Sequence, residues 1–237
     1  KVTMDDTLIR ISLTPRFMRC IEGQIIDRDG NKPIAGVKVA IYDEDGNNYL
    51  DVQTDAMGRY KVCKLPLDKD LYIAAAKRPE YFANTEQFRI SSGSDLVKDL
   101  YTQKIVLGKP IRIENIYFDP SKFIVREDAK YELDKIVQLM KDNPEIIIEL
   151  SSHSDCKGSA AANLTLSDKR AKASAAYIIS KGISKERITG QGYGETKLLN
   201  DCACEGTKES TCTEEQHATN RRTEFKVTGF LNEKTKK

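Results

Sequence analysis

Glu145-Ile-Ile-Ile-Glu-Leu-Ser-Ser-His-Ser-Asp155-Cys-Lys-Gly158, followed by Asn163-Leu-Thr-Leu-Ser167-Asp-Lys-Arg170-Ala171, is the stretch on which the reading of this 237-residue chain turns. Its opening, Glu145 to Leu150, is a nearly continuous apolar run of the length and β-branched composition of a buried strand. A polar loop follows, from Ser151 to about Gly158. Ser167 is a helix N-cap residue type, and the pattern after it predicts a helix to Lys181, with Gly182 in the position just beyond a helix end. Asp155 then lies in the loop after a strand, and Arg170 in the first turn of the helix that follows. An anion and a cation are thus offered on one side of a helix N-terminus, whose unpaired N–H groups add positive potential.

Working outward, the same texture continues on both sides. Ile111-Arg-Ile-Glu-Asn-Ile-Tyr-Phe118 alternates as a strand. Ala129, Leu133, Ile136, Val137 and Met140 recur at helical spacing until Asn143-Pro144 stops the helix. Arg187 to Tyr193 reads as a third strand, and a short helix leads to a fourth at Arg222 to Val227. The order β-α-β-α-β-α-β over residues 111–228 predicts an α/β sandwich, with helices on one face of a mixed sheet. Upstream, residues 20–107 alternate in short runs: Val37 to Tyr42, Tyr49 to Thr54 and Leu71 to Ala76. Asp/Gly turn clusters at Asp27 to Asn31, Asp43 to Asn47 and Thr54 to Gly58 separate them, as in a small all-β sandwich. Residues 1–19 are left as a lead-in and 229–237 as a disordered tail. The chain opens on Lys1-Val-Thr rather than Met and reads as part of something longer.

Composition excludes several classes. A formal net charge of +2, with 38 Lys and Arg against 36 Asp and Glu, leaves no electrostatic footprint for nucleic acid. No apolar run approaches the roughly 18 residues of a membrane helix. Asp27-x-Asp29 and Asp43-x-Asp45 begin like calcium loops, but glycine follows one residue early and no Glu closes a twelve-residue loop. Gly190-x-Gly192-x-Gly194 lacks the helix-opening glycine and the acidic partner of a nucleotide fingerprint. His153 is one of two histidines, with no Ser or Cys nucleophile argued beside it. It reads as a hydrogen bonder that orders the loop, and the chain as a non-enzyme needing no cofactor and no metal.

Six cysteines, Cys20, Cys63, Cys156, Cys202, Cys204 and Cys212, allow 15 pairings that sequence alone does not choose among. Two fall in the first half and four in loops of the second, an even division that favours disulfides and an oxidising compartment. A zinc site from Cys202, Cys204, Cys212 and His217 is the rival, without the usual C-x-x-C knuckle.

Asn115-Ile-Tyr-Phe-Asp119, the Ser152–Gly158 and Asn163–Ala171 segments, Gly190-Gln-Gly-Tyr-Gly-Glu195 and Asn220-Arg-Arg-Thr-Glu224 together resemble the OmpA C-terminal domain. That domain is shared with the peptidoglycan-associated lipoprotein and flagellar-motor stator proteins. The resemblance implies peptidoglycan binding through diaminopimelate of the peptide stem. Asp155 would accept from its ammonium and Arg170 fork onto its carboxylate, and an internal Asp155–Arg170 salt bridge is the plainer alternative. Asn163, Phe118, Asp119, Ser154, Leu166 and Arg222 are carried over as residues of the same site; one of Arg221 and Arg222 would support the binding loop. A Cys156–Cys204 bridge, with Cys202–Cys212 closing a cysteine-bearing insert, would pin the ligand loop.

The Gly23, Pro33 to Val39 and Thr54 to Tyr60 pattern resembles the carboxypeptidase regulatory-like family of β-sandwich modules, a spacer or docking element. With the insert, this layout is similar to the C-terminal end of PorE-like components of the type IX secretion system of Bacteroidetes. The resemblance implies partners in peptidoglycan and in other envelope or secretion-system proteins. It also implies a periplasmic location at the outer membrane, through a lipoprotein anchor upstream. A protein-docking module with no wall binding is the alternative function.

Overall fold

The computed structural model describes residues 18–75, 80–91, 94–114, 116–204 and 210–231. The lead-in before residue 18 and the tail after residue 231 lie outside them. The chain divides into two compact units, Lys1–Ala76 with Thr85–Thr102, and Lys77–Asn84 with Gln103–Lys237.

The first unit is β-rich, with two sheets. One is built on β1 (Arg19–Asp27), flanked by β2 (Lys32–Pro33) and β5 (Arg59–Leu65), with β8 (Leu96–Val97) and β9 (Leu100–Thr102) parallel to it. The other runs β4 (Asn48–Gln53), β3 (Lys38–Asp43), β6 (Asp70–Ala75), β7 (Asn84–Arg89). Alternation decides which side chains are buried: Ile21, Ile25 and Val62 in the first sheet, and Val39, Ile41, Leu71 and Ile73 in the second. Cys20 and Cys63 join β1 to β5 by a disulfide. Asp43 accepts from the backbone N–H groups of Asp45 and Asn47 and from Lys69 Nζ, so this turn carboxylate is occupied by its own hairpin.

The second unit holds the mixed sheet β10-β13-β11-β12, from β10 (Ile111–Ile113), β11 (Ile146–His153), β12 (Ile188–Gly194) and β13 (Thr223–Phe230). β11 and β12 are parallel; the β10–β13 and β11–β13 pairs are antiparallel. The helices are α1 (Glu127–Asp142), α2 (Ala160–Ser180) and α3 (Glu214–Asn220). α1 buries Ala129, Leu133, Ile136, Val137 and Met140, the stripe its periodicity predicts. These side chains share a core with Ile146, Ile148 and Leu150 of β11, Ala175 and Ile178 of α2, and Phe225 and Val227 of β13. No helix among the described residues is long and apolar enough to cross a membrane.

Four boundaries depart from the sequence reading. β10 stops at Ile113 rather than Phe118, because its ladder among the described residues is with β13 and their register ends at Ile113↔Thr223, where β13 begins. β13 runs on to Phe230, two residues into the expected tail. Phe82, expected among the β-module residues, is buried in the core of the second unit, edge-to-face with Phe225. Asn143 fixes this segment, accepting from Ala83 N–H and donating to the Ala83 and Leu139 carbonyls.

The fourth departure is α2. It starts at Ala160, capped by Ser159, whose side chain accepts from Ala162 N–H. Ser167 lies inside the helix, where its hydroxyl donates to the Leu164 carbonyl and accepts from Gly194 N–H. The helix ends as expected before Gly182, at φ +95°.

The triple glycine of β12 has its reason here. A β-carbon at Gly192 would lie 2.1 Å from Asp168 N, and one at Gly190 2.6 Å from the Ala171 carbonyl oxygen. Helix and strand backbones are therefore in direct contact. Gly192→Ala should lose about 3 kcal/mol in urea unfolding, because backbone cannot step aside as a side chain can. Gly229→Ala, with nothing within 4 Å of its β-carbon, should change stability by no more than about 0.5 kcal/mol.

Candidate functional site

The loop between β11 and α2 is held from several directions. Asp155 is 6% exposed. Its Oδ1 accepts from Lys157 N–H at 3.2 Å, and its Oδ2 forms an ion pair with Arg221. Arg221 also pairs with Glu214, and Glu214 with Lys157 at 2.7 Å, closing a chain of alternating charge around the loop. Glu214 is placed by the first turn of α3, whose Thr213–Gln216 capping box fixes the helix start. Cys156–Cys204 bonds the loop to the insert that precedes α3, and Cys202–Cys212 closes the insert on itself. No cysteine is free, so the zinc alternative has no thiolate to use. Asn163 donates to the Asp155 and Lys157 carbonyls and to Glu195, tying the loop down to α2.

Arg170 stands apart from that network. Its Nε donates to the Lys122 carbonyl at 2.9 Å and its Nη2 to the Asp119 carbonyl at 3.1 Å. The guanidinium lies 5.1 Å from the centre of the Phe118 ring. No carboxylate pairs with it among the described residues; burial alone acts on it, lowering its pKa. The internal Asp155–Arg170 bridge is therefore not formed. The reason is reach: Arg221 comes to Asp155 from the turn between α3 and β13, while the carbonyls of the 119–122 loop take Arg170.

Helical spacing relates these residues. Asn163, Leu166 and Arg170 are i, i+3 and i+7 on α2, one stripe of its surface. From Asn163 to Arg170 the helix rises about 10 Å, and helical side chains lean back toward the N-terminus, here toward the loop of Asp155. The expected position of Arg170 in the first helical turn is corrected by the early start of α2. The helix N-terminus therefore lends no potential to this guanidinium.

Other expected site residues have different surroundings. Arg222 is 6% exposed and donates to Glu224 at 2.6 Å, so Arg221, not Arg222, is the arginine that reaches the loop. Ser154 has its hydroxyl buried without a hydrogen-bond partner among the described residues. The Asp119 carboxylate pairs with Lys122 and Arg126, and only its carbonyl serves Arg170. His153, expected to order the loop by hydrogen bonding, is the last residue of β11. It stacks on Tyr193 at 5.3 Å, with Nε2 3.4 Å from Glu224, an ion-pair distance without hydrogen-bond alignment. Arg187, not singled out from sequence, is buried and donates to the Met140 and Asn143 carbonyls at the C-terminal end of α1 and to the Ile146 carbonyl at the start of β11.

Residues 117–211 match the model of the OmpA family. The chain thus carries an OmpA-like domain, a mixed α/β unit, and a β-rich N-terminal region. It is 32% identical over 89 residues to the peptidoglycan-associated lipoprotein of Rhizobium meliloti, covering 38% of this chain and 51% of that one. It is 30% identical over 122 residues to outer membrane porin F of Pseudomonas fluorescens, covering 51% and 35%. A match 42% identical over 84 residues, to the photosystem I P700 chlorophyll a apoprotein A2 of Gloeobacter violaceus, covers 35% of this chain and 10% of that one. The chain thus spans between a tenth and about half of these relatives. Among solved structures, the cell wall anchor of the T6SS from Pseudomonas aeruginosa aligns at 22% identity and TM-score 0.40, over 51% of this chain and 79% of that one.

The buried acid of the OmpA-like domain has a pH signature. His153 and the Arg222 guanidinium, against the opposing effect of burial, lower the Glu224 pKa from the ordinary 4.5 to about 2. A depressed folded-state pKa gives stability that is complete above 4.5 and is lost as pH falls toward 2. Glu224→Gln should therefore be less stable than wild type at pH 7, and the gap should narrow between pH 4.5 and 2 in thermal melts. An unchanged gap across that window would contradict the assignment.

Proposed function

We propose that the OmpA-like domain binds peptidoglycan without catalysis, taking the free end of stem-peptide diaminopimelate between Asp155 and Arg170, and thereby anchors an envelope complex to the wall. The observation that carries this reading is Arg170, a half-buried guanidinium held by two carbonyls and an aromatic ring with no acid beside it among the described residues. A buried cation is ordinarily paired. Arginine has five N–H donors, and two are engaged here, which leaves a fork for a planar carboxylate. Asp155 offers the complementary charge. Its oxygens have about four lone-pair positions, and the Lys157 N–H and Arg221 use two of them, so a ligand ammonium can join without displacing either.

The neighbours act as supports. Asn163 holds the Asp155 loop against α2, Leu166 lies between loop and arginine on the same stripe, and Phe118 with the Asp119 carbonyl presents the guanidinium. Ser154 and Arg222 act from behind the surface. The relatives whose names place them at peptidoglycan or the outer membrane favour an anchor over an enzyme. Three disulfides suit an oxidising compartment, and we place the chain in the periplasm, at the outer membrane. The β-rich N-terminal region is, on this reading, a carboxypeptidase regulatory-like sandwich that docks another envelope protein, as in a PorE-like type IX secretion component.

Calorimetric titration with a diaminopimelate-containing stem peptide tests the central step. Wild type should bind, and Asp155→Ala and Arg170→Ala should each bind roughly ten- to a hundredfold more weakly, the loss of one charge-assisted contact. Arg170→Lys should not rescue, since an ammonium lacks the planar fork. A lysine-containing stem, without the second carboxylate, should bind like the Arg170 variants. Wild type that ignores the diaminopimelate peptide would overturn the reading.

A further inference from the structure

Beside Arg170 lies a groove of about 410 Å³ lined by Ser121, Phe123, Ala161, Ala162, Leu166 and Lys169, with Thr165 at its wall. It is formed by the loop that cradles Arg170, through the Lys122 and Asp119 carbonyls, and by the first turns of α2. Ala162, Thr165, Leu166 and Lys169 follow i, i+3, i+4 and i+7 spacing, a stripe adjoining the one that carries Asn163 and Arg170. Leu166 belongs to both, so groove and arginine form one surface.

Two features of this groove serve neither the core nor an ion pair among the described residues. Phe123 is 44% exposed, although a phenylalanine in a loop beside a core ordinarily turns inward. Lys169 has no acid partner among the described residues; its ammonium lies 5.5 Å from the Phe123 ring centre. Neighbouring lysines are paired, Lys122 with Asp119 and Lys172 with Asp168. An exposed aromatic beside a cation without an acid partner among the described residues, floored by two alanines, fits an occupant with an aliphatic face and a carboxylate.

We propose that this groove is a second subsite of the wall ligand, taking a carboxylate carried on a short aliphatic residue next to diaminopimelate in the stem. The proposal rests on the reading of Asp155 and Arg170 given above, because it is the neighbouring residue of the same bound peptide that reaches the groove. Lys169 pairs with the carboxylate, and Phe123, Ala161 and Ala162 receive the aliphatic part. Two residues of a stem carry this chemistry: the acidic residue before diaminopimelate and the terminal alanine after it.

Binding of free meso-diaminopimelate, of a muramyl tripeptide ending in diaminopimelate and of the tetrapeptide with a terminal D-alanine separates the possibilities. Wild type, Lys169→Gln and Phe123→Ser should bind free diaminopimelate alike. Wild type should bind a stem peptide about fivefold more tightly than free diaminopimelate, the scale of one exposed ion pair with its packing, and both variants should lose that gain. A gain already present in the tripeptide assigns the groove to the acidic residue; a gain that appears only with the tetrapeptide assigns it to the terminal alanine. Stem peptides that bind no tighter than free diaminopimelate, or a gain that survives both substitutions, would overturn the subsite and leave the Asp155–Arg170 reading standing. Failure of wild type to bind free diaminopimelate and both stem peptides would overturn the two together.

Discussion

Helix α2 lies against β12 with backbone touching backbone, and the proposed binding surface depends on that contact. Gly190 and Gly192 leave no room for a β-carbon, and the Ser167 hydroxyl accepts from Gly194 N–H at 2.8 Å at the strand end. Because β12 is parallel to β11 in the same sheet, fixing α2 on β12 also fixes it relative to the end of β11, where the Asp155 loop begins. Asn163 then ties that loop to the helix, and Arg170 follows two turns further along. A side chain at Gly192 would lift the helix and move loop and arginine apart without touching either.

The second constraint is electrostatic. Asp155 is buried to 6% exposure, which is tolerable because Arg221 and the Lys157 N–H attend it. Glu214 and Lys157 extend the pairing, and a disulfide ties the loop to the insert, which a second one closes. Arg170 is treated differently: carbonyl dipoles and a ring face stabilise its charge, and no carboxylate among the described residues cancels it. The acid is thus preorganised and internally balanced, whereas the cation is preorganised and left open, which suits a receptor for a carboxylate whose ammonium arrives second.

Much of this was legible in the residues. The stripe of α1, the strand core at Ile146–Leu150 and the order of elements in the second half follow from periodicity, because a 3.6-residue repeat and a buried apolar run each bury one way. Asp155 is legible as a carboxylate in a polar loop between a strand and a helix, whereas its ligand role and the place of Asn163 in the site follow only from the resemblance to the OmpA C-terminal domain. The start of α2 was misplaced because Ser159 and Ser167 are both good cap residues, and only the tertiary seat of Ser167 against Gly194 shows which one caps. The resemblance offers Arg221 and Arg222 as alternatives for supporting the loop; which of them pairs with Asp155 was not legible, since Arg221 lies 66 residues away and the pairing of β11 with β13 brings the two together. The glycines of β12 lack the spacing of a phosphate loop, and their packing role becomes visible only with the helix in place. The Thr213-x-x-Gln216 capping box was visible in the sequence and would have announced α3, and with it the position of Glu214.

The most direct test is a crystal structure of the protein with meso-diaminopimelate bound. The account predicts the ligand carboxylate forked on the Arg170 guanidinium and its ammonium on Asp155, with Arg221 still paired to that carboxylate and α2 unmoved on β12. A ligand bound elsewhere, or one that reaches Asp155 while Arg170 turns away from it, would contradict the claim that Arg170 is held open for the wall.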